Sequence, residues 1–497
     1  MIAAYDVAAV RAAEGVLLAT LPEGELMARA VEGLAAVAAI RVRERGGHRV
    51  TALVGPGNNG ADALHAVARL AADGHLAGAV LLADRVHEGA LAQAQAAGVV
   101  LVREPDPGDA SAGISTAATE LIGEADVVLD GILGIGARAG LPAYARAWVG
   151  AIPDSAYVIA VDLPSGQDPM GSGGDPDGVF ADETVTFSCA KPVHLLPAGE
   201  PASGLLTIID IGLDFGVEVP ALQRLDRVDV ASLWPVPGVT DDKYSRGVLG
   251  IIAGSENYSG AAVLAVTAAA NAGVGMVRYV GTATPQGLVR AAVPEAVHGL
   301  GRVQAWVIGP GLEVGRRAAG ASEQLAAARA VLDGELPLVL DAGGLDLLTG
   351  PRAAPTILTP HAGECARLLT RLGDREVTRS QVSADPLRYA RELASATTAS
   401  VLLKGAWSIV VGPDGTAYSQ NDGPAWLATA GSGDVLAGLL GSLLAAGLPA
   451  TSAGALAALV HGVAAQEANP GGPIRALRVA EALPQAIAGL LRAGIPD

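Results

Sequence analysis

RVTALVGPGNNGADALHAVARLAADG, Arg49 to Gly74, is the stretch from which the fold of the first half of the chain is read. Arg49 to Gly55 is a short apolar run of strand length. From Ala61 the period changes: Leu64, Val67, Leu70 and Ala71 fall on one helical face, and Gly74 stops the helix. Between the two lies GPGNNGAD (Gly55 to Asp62), a glycine-rich turn that opens a helix and can wrap backbone N–H groups around a phosphate.

Outward from this unit the alternation continues. AVLLA (Ala79 to Ala83), GVVLV (Gly98 to Val102), DVVLD (Asp126 to Asp130) and AYVIAVD (Ala156 to Asp162) repeat the strand signal with helical patterns between them. Near-continuous apolar strands at this spacing predict a parallel sheet covered on both faces, an α/β fold. Between Phe215 and Arg246 the pattern lapses into a segment rich in Val, Asp and Pro that ends in WPVPGVTDDKYSRG. A second series follows: VLGIIAG, MVRYVG, QAWVIGPG, PLVLDAGG, TILTPH and VLLKG, then a hairpin, SIVVGPDGTAYS, and long Ala/Leu helices. The halves do not repeat each other's motifs. We therefore expect two different three-layer α/β domains, 1–215 and 229–497, with a linker at 216–240.

Composition agrees with large buried cores: of 497 residues 51% are hydrophobic and only 17% charged, while aromatics at 3% leave Ala, Val, Leu and Ile to fill them. The net charge of -18 argues against nucleic-acid or anionic-membrane partners, which need clustered Lys and Arg. Cys189 and Cys365 are too few for a disulfide framework or a Cys-rich metal site. The N-terminus lacks the basic and apolar regions of a signal peptide. Val435 to Val460 carries no charge and is long enough to span a membrane, but GLPATSAG (Gly447 to Gly454) divides it into two buried helices around Pro449. The expectation is a cytoplasmic, homo-oligomeric protein acting on small molecules.

In parallel sheets ligands bind outside the carboxyl ends of the strands. The first strand is followed by GPGNNGAD, DVVLD by GILGIGARAG (Gly131 to Gly140), and AYVIAVD by LPSG, which places Asp162 at the strand end and Ser165 in the turn. Singly, such glycine loops are common, and Asp130 or Asp162 could simply cap a turn. Two glycine loops and two carboxylates at one sheet edge are more specific. GGDPDGVFADE (Gly173 to Glu183) contains a DxDG fragment but lacks the rest of an EF-hand, so it reads as a solvated loop.

LMARA (Leu26 to Ala30), VGPGNNGAD, LDGILGIG and VDLPSG together resemble the YjeF N-terminal family, the NAD(P)H-hydrate epimerases, over roughly Met1 to Phe215. The resemblance implies a Rossmann-like domain. By it, Asn58, Asn59, Gly60, Ala61, Asp62, Gly134, Ile135, Gly136, Ala137, Arg138, Ala139 and Gly140 contact the hydrated nucleotide, as does Tyr144. Asp162 is then the acid/base group, and Asn59, Asp130 and Ser165 hold potassium, an oxygen-only set suited to a hard cation. Ala61 departs from the usual NNGGD, and its methyl could crowd the phosphate.

The strongest motif of the second half is LATAGSGDVLAGLLGSLLAAGL (Leu427 to Leu448). Small residues from Ala430 to Gly433 let backbone close around an anion at a helix start, with Asp434 in the first turn. An aspartate there is often only a helix-start residue. Beside an anion hole it also suits chemistry at a hydroxyl, taking the proton while N–H groups stabilise phosphate charge. The element resembles the ribokinase-like fold. RGVLGIIAGSENYSGAAVLA, IGPGL, DAGGLDLL, LTPHAGECARLL and LKGAWSIVV narrow the likeness to ADP- or ATP-dependent NAD(P)H-hydrate dehydratases, from about Asp229 onward. That implies Ala262, Gly311 and His361 at the hydrated nucleotide, Lys404, Gly405, Ala406, Trp407, Ser408 and Gly433 at the adenine nucleotide, and Asp434 as base, with ADP and Mg2+ as co-substrate. His361 could otherwise be a helix-entry residue. Ser432 replaces a common Thr, and NDGPAWLATA, which includes Trp426, replaces a TGNPG-type stretch. A small-molecule kinase and a non-catalytic nucleotide-binding scaffold are the competing readings.

Overall fold

A computed structural model describes residues 1–82, 86–104, 113–315 and 321–494; Ala83, the last residue of one strand reading, lies outside them. The chain divides into two compact units, one of Ile2–Leu222 and one of Gln223–Asp497 together with Met1.

In the first unit, β1 (Ile2–Ala4) precedes β2 (Arg49–Val54), β3 (Leu76–Leu82), β4 (Val100–Glu104), β5 (Val127–Gly131), β6 (Tyr157–Val161), β7 (Glu183–Phe187) and β8 (Leu205–Ile209). All but β1 form a seven-stranded sheet in the order β4-β3-β2-β5-β6-β7-β8, and every neighbouring pair is parallel. Alternate residues of β2 serve the two faces, as strand geometry requires. Val50, Ala52 and Val54 join Leu34, Leu64 and Val67 of the helices Glu25–Glu44 and Asn58–Ala72 in one core. Leu53 joins Ile122 and Trp148 of the helices Thr116–Gly123 and Ala143–Gly150 in another. This is the expected three-layer arrangement, and strand order reverses between β2 and β5, where a crevice opens.

β7 and β8 are additions to the sequence reading. All five residues of β7 are buried, Glu183 included. Its carboxylate accepts from Arg41 Nε at 2.6 Å and also from Thr207. A buried charge satisfied by distant partners makes the strand look polar in sequence.

The second unit holds β9 (Leu222–Arg224, from Gln223 onward), β10 (Val248–Ile252), β11 (Met276–Val280), β12 (Val297–His298), β13 (Ala305–Ile308), β14 (Leu338–Leu340), β15 (Thr356–Leu358), β16 (Ser400–Leu403), β17 (Ser408–Val411) and β18 (Ala417–Gln420). Their order is β9-β18-β17-β16-β15-β14-β13-β10-β11-β12. The hairpin β17–β18 and its pairing with β16 are antiparallel, the rest parallel. The helices Ser259–Asn271, Ser432–Ala445, Ala450–Ala468 and Ala476–Ala493 share one core with the sheet. Gly438 permits the closest approach, because a Cβ there would meet Ala265 O at 2.1 Å. Within 216–240, Leu225, Val230 and Trp234 are buried in this same core. The uncharged stretch after Asp434 is split as expected, with Pro449 capping the helix Ala450–Ala468. No helix of the described residues is long and apolar enough to cross a membrane.

Candidate functional site

In the first unit, the turns after β2, β5 and β6 converge. A cavity of about 450 Å³ is lined by Asn58, Asn59, Asp62, Gly134 to Ala137 and Asp162, joined by Arg11, Glu14 and Lys191. Gly60, Ala61, Arg138, Ala139, Gly140 and Tyr144 are not among its lining residues. Ala61 is 2% exposed and its methyl sits in the hydrophobic core, so the departure from NNGGD takes no space from a ligand. Tyr144 packs edge-on against Trp148, with ring centroids 5.4 Å apart.

Asp162 occupies left-handed backbone space, φ 67°, a strained conformation for a residue with a side chain. Its N–H donates to Val185 O at 2.7 Å. Its carboxylate accepts from Thr186 Oγ1 at 2.9 Å and is ion-paired with Lys191. Lys191 is 1% exposed and Asp162 6%, so the pair is buried. His194 Nε2 lies 2.9 Å from Asp162 O, and burial followed by Lys191 pushes its imidazole down to about 3. Sequence reading missed Lys191 and Thr186. The only signal was a lone lysine in the apolar run TVTFSCAKPVHLLP.

Asp130 and Ser165 are fully buried. Ser165 Oγ donates to Asp130 Oδ1 at 2.6 Å, and Leu133 N–H donates to Ser165 Oγ at 2.9 Å. Asn59 Nδ2 donates to Leu133 O at 2.7 Å and to Val161 O. Burial pushes Asp130 up to about 6, while hydrogen bonds from Ser165 and Ile132 pull the other way. Ser165 thus holds a buried carboxylate that has no cationic partner among the described residues, and Asn59 is tied to the same turn through Leu133.

The DxDG fragment of Gly173 to Glu183 is an anchor rather than a freely solvated loop. Asp175 accepts from Leu141 N at 2.8 Å and from Arg146 at 2.7 Å, fixing the far end of the second glycine loop.

In the second unit, Gly431 takes φ 91° and the helix Ser432–Ala445 begins directly after it, with Asp434 in its first turn. Lys404 directly follows β16 and donates through Nζ to Asp341 Oδ1 at 2.6 Å; Thr359 Oγ1 donates to the same oxygen at 2.8 Å. A side chain at Gly433 would come within 3.2 Å of Lys404 Nζ, so glycine lets the ammonium approach the helix start. Gly405 and Ala406 are exposed in the turn beyond Lys404, and Trp407 and Ser408 are half-buried.

Burial, with Asp341 adding to it, pushes Asp434 up to about 7 although Lys404 pulls it down. No described group donates a hydrogen bond to its carboxylate. His361 does cap the helix Ala362–Leu372: Nδ1 accepts from Gly363 N and Glu364 N, and Nε2 lies 3.5 Å from Glu364 Oε1 in a side chain that is half exposed. It sits beside Lys404 through a parallel bridge. Gly311 has φ 64° and no room for a Cβ, which would meet Ala261 Cβ at 2.7 Å. Ala262 is 0% exposed, its methyl inside the core.

Comparison with known proteins bears on both units. The family described as YjeF-related protein N-terminus matches residues 23–193, and the family described as NAD(P)H-hydrate dehydratase matches residues 249–484. The bifunctional NAD(P)H-hydrate repair enzyme Nnr of Mycobacterium leprae is 43% identical over 510 residues, covering 98% of this chain and 99% of that protein. Its counterpart from Mycobacterium tuberculosis is 43% identical over 469 residues, 91% of each chain. A crystal structure of the ADP/ATP-dependent NAD(P)H-hydrate dehydratase of Bacillus subtilis, co-crystallised with ATP and Mg2+, is 26% identical with a TM-score of 0.48, covering 55% of this chain and all of that one. On its similarity over nearly its whole length, the chain belongs to the family of bifunctional NAD(P)H-hydrate repair enzymes.

Proposed function

We propose that 1–215 is the NAD(P)H-hydrate epimerase domain, that 229–497 is the ADP-dependent dehydratase domain, and that 216–240 joins them. The first interconverts the R and S hydrates, and the second returns the S hydrate to NADH or NADPH. The observation that carries the reading is Asp434: a carboxylate without a hydrogen-bond donor, pushed up to about 7, at a helix start beside the Lys404–Asp341 pair.

Asp434 takes the proton of the ring hydroxyl as its oxygen attacks the terminal phosphorus of ADP and AMP leaves. Lys404 and the N–H groups at Gly433 stabilise the transferring charge. The ring nitrogen then expels the phosphate, and loss of a neighbouring C–H proton restores the dihydronicotinamide. Hydrate and ADP thus give NADH, AMP and phosphate. Magnesium usually travels on nucleotide phosphates rather than in an all-protein cage.

In the first domain Asp162 is the acid/base group, and Asn58, Asn59, Asp62 and Gly134 to Ala137, which line the cavity, take the nucleotide. The buried Asp130 carboxylate, held by Ser165 and linked to Asn59 through Leu133, fits potassium, which would offset the charge of Asp130 when bound.

The test is to make residues 1–222 and 223–497 separately and supply purified R and S hydrates. The first piece should interconvert them, and the second should convert S hydrate with ADP to NADH, AMP and phosphate in equal amounts. A stable phosphorylated product and no NADH would show a kinase instead.

A further inference from the structure

The first unit holds a carboxyl group that the single acid/base assignment leaves unused. Asp62 is 8% exposed and sits in the second turn of the helix Asn58–Ala72. It accepts no hydrogen bond from any described residue, so it is neither a helix cap nor a salt-bridge partner. Yet its side chain meets open space: it lines the 450 Å³ cavity with Asp162, and also an adjoining cavity of about 680 Å³ that shares Glu14, Asn58 and Phe187 with the first. A buried carboxyl without a donor is costly if charged, and this one stands at the junction of two ligand-sized spaces.

We propose that Asp62 is a second proton-transfer group of the epimerisation site, working opposite Asp162. The proposal rests on the reading of this domain as an epimerase. The hydrated carbon bears a hydroxyl and the ring nitrogen, so its configuration can invert through ring opening. A base removes the hydroxyl proton, the C=O bond forms, and the C–N bond breaks with its electron pair going to nitrogen. An acid then protonates that nitrogen. After rotation of the aldehyde carbon, nitrogen attacks the other face and both protons return. Nothing is consumed, but two groups of opposite protonation are needed at once.

The environment separates them in that sense. Asp162 is ion-paired with Lys191, while Asp62 has no such partner. Burial, then Asp162, then Glu14 push Asp62 up to about 8, the condition of an acid that keeps its proton at neutral pH. The titratable and charged groups around the two spaces are Arg11 and Glu14 on the helix Val7–Leu18, Lys191 and Asp162, Glu23 and Glu32, His65 and Arg69 further along the helix of Asp62, and His87.

The experiment uses the full chain and purified R hydrate of NADPH, with the ADP-dependent conversion of S hydrate as internal control. Asp62→Asn should lower kcat for epimerisation by about 100-fold or more with KM little changed and the control rate intact. The alkaline limb of the parent kcat profile, near pH 8, should vanish, and Asp62→Glu should recover part of the rate. Parent kcat in Asp62→Asn, a loss confined to KM, or an alkaline limb that survives the substitution overturns the proposal. If Asp62→Asn does not fold, a parent profile without an alkaline limb overturns it as well. A parent chain inert toward R hydrate removes the epimerase reading itself, a different result from an active parent with an indifferent Asp62.

Discussion

Asp162, directly after β6, and Asp434, in the first turn of the helix Ser432–Ala445, are both largely withdrawn from water, but the fold treats them in opposite ways. Asp162 is locked: left-handed backbone, a hydroxyl from Thr186, and a buried ammonium against one oxygen. Asp434 accepts no hydrogen bond from a described group, and the nearby ammonium is committed to Asp341. A carboxylate with a fixed partner is held in one orientation toward its cavity. Asp434, with no donor among the described residues, is instead pushed by burial toward the neutral form, which suits a base that must take a proton from a hydroxyl.

The largest effect expected from this contrast is loss of the dehydratase base. Asp434→Asn should slow NADH formation from S hydrate and ADP by about 10²–10⁴-fold while epimerisation proceeds at the parent rate. Dehydration at the parent rate would show that Asp434 is only a helix-start residue. Asp162→Asn should produce a loss of the same order in epimerisation alone. The lock itself is probed by Lys191→Met, which leaves a buried carboxylate unpaired and should destabilise the first unit by about 3–5 kcal/mol in denaturant melts. Combining it with Asp162→Asn should cost less than the sum of the two. Additive losses would mean the pair is not an interacting unit.

The protonation of Asp434 is readable by pH. Because the carboxyl of Asp434 sits at about 7 and works as a base, dehydratase kcat should rise with pH through neutrality, falling about tenfold per unit below it. The same raised value works against stability. The folded state holds a proton that the unfolded chain has released, so this group's contribution, complete at low pH, is lost as pH rises through about 7. A kcat profile flat from pH 5 to pH 8 would remove the contrast between the two carboxylates. The smallest effect concerns Asn59, Asp130 and Ser165: potassium should stimulate epimerisation a few-fold over sodium, and equal rates in the two salts would count against that oxygen site.

By itself the sequence determined the two alternating strand–helix series, the glycine turns at their carboxyl ends, and the placement of Asp162 and Asp434 in those turns. These are local signals, since period, turn chemistry and helix starts depend on residues within a few positions of one another. It did not determine β7, whose buried Glu183 depends on Arg41, 142 residues earlier. Nor did it determine that Ala61 faces the core instead of the ligand, or that the DxDG loop anchors the second glycine turn through Asp175. Only the tertiary structure decided which carboxylate is paired and which is not. Lys191 reaches Asp162 across 29 residues and Lys404 reaches Asp341 across 63, while Asp62 and Asp434 have no hydrogen-bond or ion-pair partner among the described residues. The charge state of a buried group is set by burial and by the nearest opposite charge, and both arise only when distant segments pack together.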